Sequence, residues 1–268
     1  MANIFKKLKN KYLIHYKLLN DSKRFIKYNL GSLYLENEYH IEGDKKTYEE
    51  TNKMPYRYDI INFILEFLNR DTKYLEIGVR YPKENFDKIK ATRKYSVDPG
   101  KENIENPVNF KLTSDEFFQK IRDESILNKD IKFDVIFIDG LHLAEQVERD
   151  ITNSLGFLKE DGFIVLHDCN PPTEFHASET YKYRLSPSKG CWNGTTWKAF
   201  FKIRQSTSLN SCCIDSDWGI GIISKKIKFG ESILVENPYF EYNVFKENRK
   251  ESLNLMSFED FKVILNKG

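Results

Sequence analysis

Between residues 73 and 168 short apolar runs alternate with amphipathic stretches. K-Y-L-E-I-G from Lys73, K-Y-S-V-D from Lys94, N-F-K-L from Asn109, F-D-V-I-F-I-D from Phe133 and F-I-V-L-H-D from Phe163 read as strands. Helices are expected between them near 84–91, from Asp115 and from Leu143. Short, continuously apolar strands separated by helices of about three turns predict a parallel sheet covered on both faces. Past Asp168 the prolines and glycines at Pro171, Pro172, Pro187, Gly190 and Gly194 rule out regular structure throughout. A helix resumes at Trp197, and S-C-C-I-D and W-G-I-G-I-I-S-K, joined by a turn at Ser216-Asp217, predict an antiparallel hairpin. The expected fold is α/β: a Rossmann-like, doubly wound, mostly parallel sheet with an antiparallel hairpin edge, plus N-terminal helices.

The flanks read differently. Ile4, Leu8, Tyr12 and Leu19 recur at helical spacing between lysines, so the N-terminus reads as a basic amphipathic helix. It packs on the core or on a second subunit, which leaves a homo-oligomer open, or adheres to a membrane surface. Residues 36–53 are polar and read as a connector. Pro55 opens a helix whose one face carries Ile60, Ile61, Ile64 and Leu65. The tail predicts a helix capped at Ser257, with Asp260 three residues on. The chain thus divides into an N-terminal helical extension and connector (1–54), a central domain (55–230) and a C-terminal helical tail packed on it (231–268).

Composition narrows the function classes. The net charge of +2 is what remains of 42 basic and 40 acidic residues, so no long-range field holds the chain on a nucleic-acid backbone. No apolar run approaches the roughly 20 residues needed to span a bilayer, and no cleavable leader is evident, which predicts a cytoplasmic protein. Cys169, Cys191, Cys212 and Cys213 show no zinc-binding spacing and read as free thiols in a reducing compartment.

In doubly wound sheets ligands bind at the C-terminal strand ends, where strand order reverses. Here those ends carry Glu76 and Gly78, then Asp98, Ser114-Asp115, Asp139 with His142, and His167-Asp168. A dinucleotide fold needs several glycines after its first strand, so that the backbone can approach a pyrophosphate. E-I-G-V-R-Y-P has one glycine and an acid before it, a poor cradle for a diphosphate. It suits a cationic nucleoside such as S-adenosylmethionine, with Asp98 placed to accept from a ribose diol, although Asp98 also suits a D-P-G turn. Asp139 and Asp168 end adjacent strands, spaced about 4.8 Å, so their carboxylates can converge and either raise a pKa or recruit a cation. His142 has the intrinsic pKa of a base at neutral pH, or it caps the next helix. Tyr181, Arg184, Trp192 and Asn193, in the irregular segment, offer flat faces and polar handles for an acceptor, or pins for the loop.

Y-L-E-I-G-V, S-V-D-P, T-S-D-E-F-F, F-D-V-I-F-I-D-G-L-H, the L-x-x-D-G-F-I-V-L-H-D that begins at Leu158, and W-N-G-T-T-W-K together resemble class I S-adenosylmethionine-dependent methyltransferases. The nearest resemblance is to the bacterial methyltransferase-24 type, similar to sugar O-methyltransferases of surface-polysaccharide and macrolide pathways, over residues 55–225. It implies methyl transfer to the hydroxyl of a nucleotide-linked or glycan sugar. Glu76, Gly78, Asp98, Ser114, Asp115 and Asp139 would contact the cofactor, and Asp139 would work with His142, the base of the D-x-x-H pattern. Asp139, His167 and Asp168 would hold a divalent cation such as magnesium. Tyr81-Pro82-Lys83 departs from the family, whose members keep further glycines there. The competing readings are an NAD-dependent nucleotide-sugar dehydrogenase or epimerase, and a non-catalytic partner that keeps the fold.

Overall fold

In the computed structural model, which describes residue 13 and residues 21–267 other than 182, 231, 232 and 234, seven strands share one sheet. They are β1 (Lys73–Ile77), β2 (Arg93–Val97), β3 (Phe133–Ile138), β4 (Leu158–Leu166), β5 (Asn210–Ile214), β6 (Ile220–Ser224) and β7 (Leu255–Met256). The order is β2-β1-β3-β4-β6-β5-β7. The first four strands run parallel, whereas β6 is antiparallel to both β4 and β5. The sheet is therefore the expected one, doubly wound and finished by an antiparallel hairpin.

Every residue of β3 is buried, as a central strand covered on both faces requires. Its alternate residues serve two cores. Ile136 and Ile138 pack with Phe117, Phe118, Val147 and Ile151 of α4 (Ser114–Arg122) and α5 (Ala144–Phe157). Val135 and Phe137 pack with Ile60, Ile61 and Ile64 of α3 (Arg57–Leu68) and with Phe261 of α9 (Phe258–Lys267). Between α5 and α9 come α6 (Thr196–Arg204), α7 (Tyr242–Glu247) and α8 (Arg249–Leu253). From β1 the chain passes to β2 on one side, and β3 lies on the other. The crevice at this reversal opens at the C-terminal ends of β1 and β3.

Three local expectations differ from the structure. Residues 36–53 are not a connector: they hold α2 (Glu38–Thr51), preceded by α1 (Ser22–Leu35). The polar pattern hid α2 because only His40, Gly43 and Glu50 are buried, and its start comes from the Asn37 side chain, which accepts from the His40 N–H. The expected helix at 84–91 is two single 3₁₀ turns, Pro82–Glu84 and Phe86–Lys88, broken at Asn85, whose side chain is drawn inward to Glu76. N-F-K-L makes one parallel bridge, Val97 to Phe110, because the Asn109 side chain takes the Ser96 N–H that a continuing ladder would use. The basic helix expected over residues 4–19 falls, apart from Leu13, outside the described residues.

Candidate active site

The ladder carries the rim of the crevice just past the strand ends. Gly78 N–H donates to the Val97 carbonyl (2.8 Å), Asp139 N–H to that of Ile77 (2.9 Å) and His167 N–H to that of Ile138 (3.1 Å). Gly78 must be glycine: its φ is +93°, and a Cβ there would stand 2.1 Å from the Asp139 carbonyl oxygen. Close apposition of the β1 and β3 turns thus puts Glu76 and Asp139 on neighbouring parts of one rim.

Past β4 the chain turns out of the strand, with Asp168 at φ +62°. In a continuing strand His167 and Asp168 would face opposite sides. Here both side chains lie in the crevice, with His167 Nδ1 3.0 Å from Asp168 Oδ2 and 3.2 Å from Asp139 Oδ1. His142 lies between the same two acids, its Nε2 3.2 Å from Asp139 Oδ1 and its Nδ1 3.1 Å from Asp168 Oδ2. Among the described residues, the donor atoms of Asp139, His142 and Asp168 all lie within 4.8 Å of one another. His167, expected beside the two acids as a ligand, turns its Nε2 away to Arg57 Nη1 at 2.6 Å.

Two members of this cluster had no signal in the sequence. Arg57, the first residue of α3, lies 3.5 Å from Asp139 Oδ2, and its backbone N–H donates to Asp217 Oδ2 at 2.8 Å. Asp217, in the hairpin turn, is 3.3 Å from His167 Nε2 through its other oxygen. Arg57 looks like a helix-start residue and Asp217 like a turn residue; only the sheet brings them together, about 160 positions apart in sequence.

The electrostatics follow from two buried carboxylates, Asp168 and Asp217, and the half-buried Asp139 around one guanidinium. Burial pushes the Asp139 carboxyl up, but His167, His142 and Arg57 outweigh it and hold the group well below the usual range. Burial opposes a charge on His142, yet Asp168 and Asp139 raise its pKa. His167 is raised well above its ordinary value: burial and Arg57 work against this, and Asp168, Asp139 and Asp217 prevail. The 2.6 Å approach of Arg57 needs Nε2 as acceptor, a contact that the doubly protonated ring cannot make. With both imidazoles neutral the cluster carries two uncompensated negative charges. Buried charge of that size is balanced by two protons or by one divalent cation.

The segment after Asp168 covers this centre. Gly194, at φ +62°, lies where a Cβ would meet the His142 carbonyl oxygen at 2.1 Å, which lets Thr195 N–H donate to that carbonyl at 2.8 Å. Asn193 is fully buried and donates its amide to Asp168 Oδ1 at 2.8 Å, while its own Oδ1 has no hydrogen-bond partner among the described residues. Trp192 stacks on His142 with centroids 5.3 Å apart, and Tyr181 meets Trp192 edge-on at 4.9 Å. The Tyr181 hydroxyl donates to the Glu102 carboxylate, which also pairs with Arg80 at 3.8 Å, tying the segment across the crevice to the loop after β2. Arg184 is exposed. His176 is buried: Thr173 and Thr47 hydroxyls engage its ring at 2.8 and 3.0 Å, and its carbonyl accepts from the Asn193 and Gly194 N–H groups. Burial lowers its pKa to about 4, so it is a neutral support for the loop.

At the β1 side Glu76 is buried and accepts from the Tyr74 hydroxyl (2.6 Å) and the Asn85 amide (2.8 Å) on a single oxygen. Burial outweighs these bonds and raises its pKa to about 7. Asp98 is half-buried, and its Oδ1 accepts the Gly100 N–H at 2.6 Å, so one oxygen serves the D-P-G turn. Ser114 and Asp115 open α4 and meet Gln146 of α5 at 3.1 and 3.4 Å. The amide oxygens of Asn85 and Asn106 are buried along this side without a hydrogen-bond partner among the described residues. Asp134, at the opposite ends of the strands, contrasts with the rim: Arg70 and Lys159 saturate it, both at 2.8 Å, as a structural ion pair.

Residues 64–169 match the methyltransferase-24 family, described as a methyltransferase domain, and so take in both the Glu76 side and the Asp139–Asp168 cluster. By this match, residues 64–169 form a methyltransferase domain. The match spans less than half of the chain and stops before the covering segment. No curated protein matches the sequence. Similar solved structures include an O-methyltransferase from Bacillus cereus in complex with S-adenosylhomocysteine, at 14% identity over 70% of this chain and 90% of that one, with a TM-score of 0.39. Another is the S-adenosylhomocysteine-bound methyltransferase of Podospora anserina, at 16% identity over 75% of this chain and 95% of that one, TM-score 0.41. A third is an O-methyltransferase from Streptomyces achromogenes involved in tomaymycin synthesis, in complex with S-adenosylmethionine, at 10% identity over 71% and 90%, TM-score 0.39. Likeness this distant names no substrate for the chain. Among the described residues no helix is long and apolar enough to cross a membrane.

Proposed function

We propose that the protein is an S-adenosylmethionine-dependent O-methyltransferase acting on a sugar hydroxyl, nucleotide-linked or within a glycan, in surface-polysaccharide or related synthesis in the cytoplasm. The observation that carries the methyl-transfer reading is the convergence of Asp139, His142 and Asp168 at the strand ends of the methyltransferase domain. The catalytic domain is residues 55–230, with 1–54 and 231–268 as additions to it. The flat faces of Tyr181 and Trp192 beside His142 support a sugar as acceptor, with Arg184 exposed on the same segment and the buried Asn193 holding Asp168 beneath it.

The Glu76 side fits the cofactor. Glu76 is an acid without a close cationic partner, and the unpartnered oxygens of Asn85 and Asn106 lie near it and near Asp98. A cationic amino group suits Glu76, and the second oxygen of Asp98 suits a ribose diol; Ser114 and Asp115 lie where the adenine end would reach. A single glycine after β1 argues against NAD. S-adenosylmethionine supplies an electrophilic methyl on a sulfonium, so the chain must align the acceptor oxygen in line with it and receive the hydroxyl proton. Alignment is the larger part, about 7–11 kcal/mol of the barrier.

His142 receives the proton. Stacking on Trp192 and the Asp139 and Asp168 contacts hold its ring, and the same carboxylates stabilise the imidazolium formed. A base positioned in this way contributes about 10²–10⁴-fold. Two carboxylates and an imidazole fit a divalent ion, and the uncompensated charge of the cluster calls for one. Asp139, Asp168 and His167, whose Nδ1 lies 3.2 and 3.0 Å from the two acids, would hold it, leaving His142 to take the proton. The ion would supply Lewis acidity at the acceptor oxygen and replace the protons that the carboxylates otherwise keep on the imidazoles.

The test is S-adenosylhomocysteine release over a panel of nucleotide sugars, with and without prior chelation. His142→Ala should cut kcat by about 10²–10⁴-fold while leaving S-adenosylhomocysteine binding intact. Full turnover by that variant would remove the base, and turnover unchanged by exhaustive chelation would remove the metal. Tight NAD binding without S-adenosylhomocysteine binding would replace the whole reading with a dehydrogenase or epimerase.

A further inference from the structure

α1 holds its apolar side chains in solvent. Ile26, Leu30 and Leu33 are 56%, 61% and 67% exposed, and no residue of the helix is buried. Their spacing of four and then three residues puts them on one face. Lys23 and Lys27, four apart, run along the flank of this stripe, with Arg24 beyond them.

Charge is distributed unevenly along the chain. Residues 1–35 carry eight lysines and arginines against one acid, Asp21, whereas the remainder carries 34 basic and 39 acidic residues. The near-neutral total therefore hides a basic, apolar N-terminus on a mildly acidic body. A second copy of the chain is a poor occupant for the face, since a two-fold contact would set two strongly positive segments against each other. An anionic phospholipid surface meets both requirements, with acyl chains for the stripe and head groups for the cations.

We propose that α1 lays the protein on an anionic phospholipid surface. The contact also has a direction. The Tyr34 hydroxyl donates to the Leu185 carbonyl (3.3 Å), His40 Nε2 lies 3.3 Å from the same oxygen, and Lys189 pairs with Asp44 of α2. The segment that covers the crevice is thereby tied to α1 and α2, and adsorption brings that rim close to the head groups.

The experiment is co-sedimentation of the full chain with vesicles of phosphatidylcholine alone or mixed with phosphatidylglycerol. Pelleting is expected with the mixed vesicles and not with phosphatidylcholine alone. It should fall away as salt rises from about 0.1 to about 1 M, where the screening length shortens from about 10 to about 3 Å. Each basic residue near an anionic surface is worth about fivefold in partitioning, so K23E/R24E/K27E should lose at least about a hundredfold. I26S/L30S/L33S should also lose binding, with an unchanged melting temperature because these side chains are exposed in the free protein. Equal pelleting with both vesicle types, or none with either, overturns the proposal. So does a dimer in light scattering that I26S/L30S/L33S dissociates, because a second copy then covers the face. None of these readouts needs turnover, so they stand or fall apart from the methyl-transfer reading.

Discussion

Glu76 offers a test in which stability and cofactor binding move in opposite directions. Its pKa stands at about 7 against 4.5 for an ordinary glutamate, and burial is the leading cause. A carboxyl whose folded pKa is raised binds more protons in the folded than in the unfolded state between those two values. Stability contributed by the group is therefore greatest below about pH 4.5 and declines as pH rises to about 7. At about 1.4 kcal/mol per pH unit, the interval amounts to roughly 3 kcal/mol, an upper bound on what the ionised group costs at pH 8. Glu76→Gln removes the charge and keeps the geometry, since the Tyr74 hydroxyl and Asn85 amide both donate to one oxygen that the amide carbonyl can replace. The variant should be more stable than the wild type at pH 8, by up to about 3 kcal/mol in urea unfolding, and nearly equal to it at pH 5. It should bind S-adenosylhomocysteine more weakly, because a cationic amino group loses its counter-charge. In the wild type, affinity should rise up to about tenfold from pH 6 to pH 8 as the carboxyl ionises, and the variant should show a flat profile. A variant less stable than the wild type at pH 8, or a flat wild-type profile, would refute the assignment of Glu76 as an uncompensated acid.

Other consequences follow from single contacts. Arg57→Leu leaves Asp139 and Asp217 without their guanidinium and should destabilise the protein by about 3–5 kcal/mol, measured by urea unfolding; a change below about 1 kcal/mol would show that the imidazoles alone hold the acids. Gly194→Ala forces a Cβ onto the His142 carbonyl, so kcat should fall while S-adenosylhomocysteine affinity, measured by calorimetry, stays within about twofold. Trp192→Ala removes the ring stacked on His142 and should raise the acceptor KM and lower kcat together in steady-state assays; unchanged kinetics would make the loop aromatics mere pins.

The strand pattern from β1 to β6 was legible because a central strand covered on both faces must be apolar throughout, and that property is local. The glycine count after β1 and the acids at the strand ends were legible for the same reason, since a turn's chemistry is written in adjacent residues. α2 was hidden because it is polar on most of its surface and buries only His40, Gly43 and Glu50. No local pattern around His176 signals burial, yet a fold that brings Thr47 and Thr173 to its two ring nitrogens makes it an interior support.

Alternating periods and turn residues report what each segment does with its own neighbours, so the sequence alone determined the sheet, its hairpin edge and the set of strand-end side chains from which a site would be built. Which of those side chains meet was decided by tertiary structure. Arg57 and Asp217 enter the cluster from α3 and the hairpin turn, and their arrival draws His167 towards the guanidinium while His142 takes the place between Asp139 and Asp168. Contacts across more than a hundred residues are set by how the β1, β3 and β4 turns stack, and no local pattern in the chain encodes that distance.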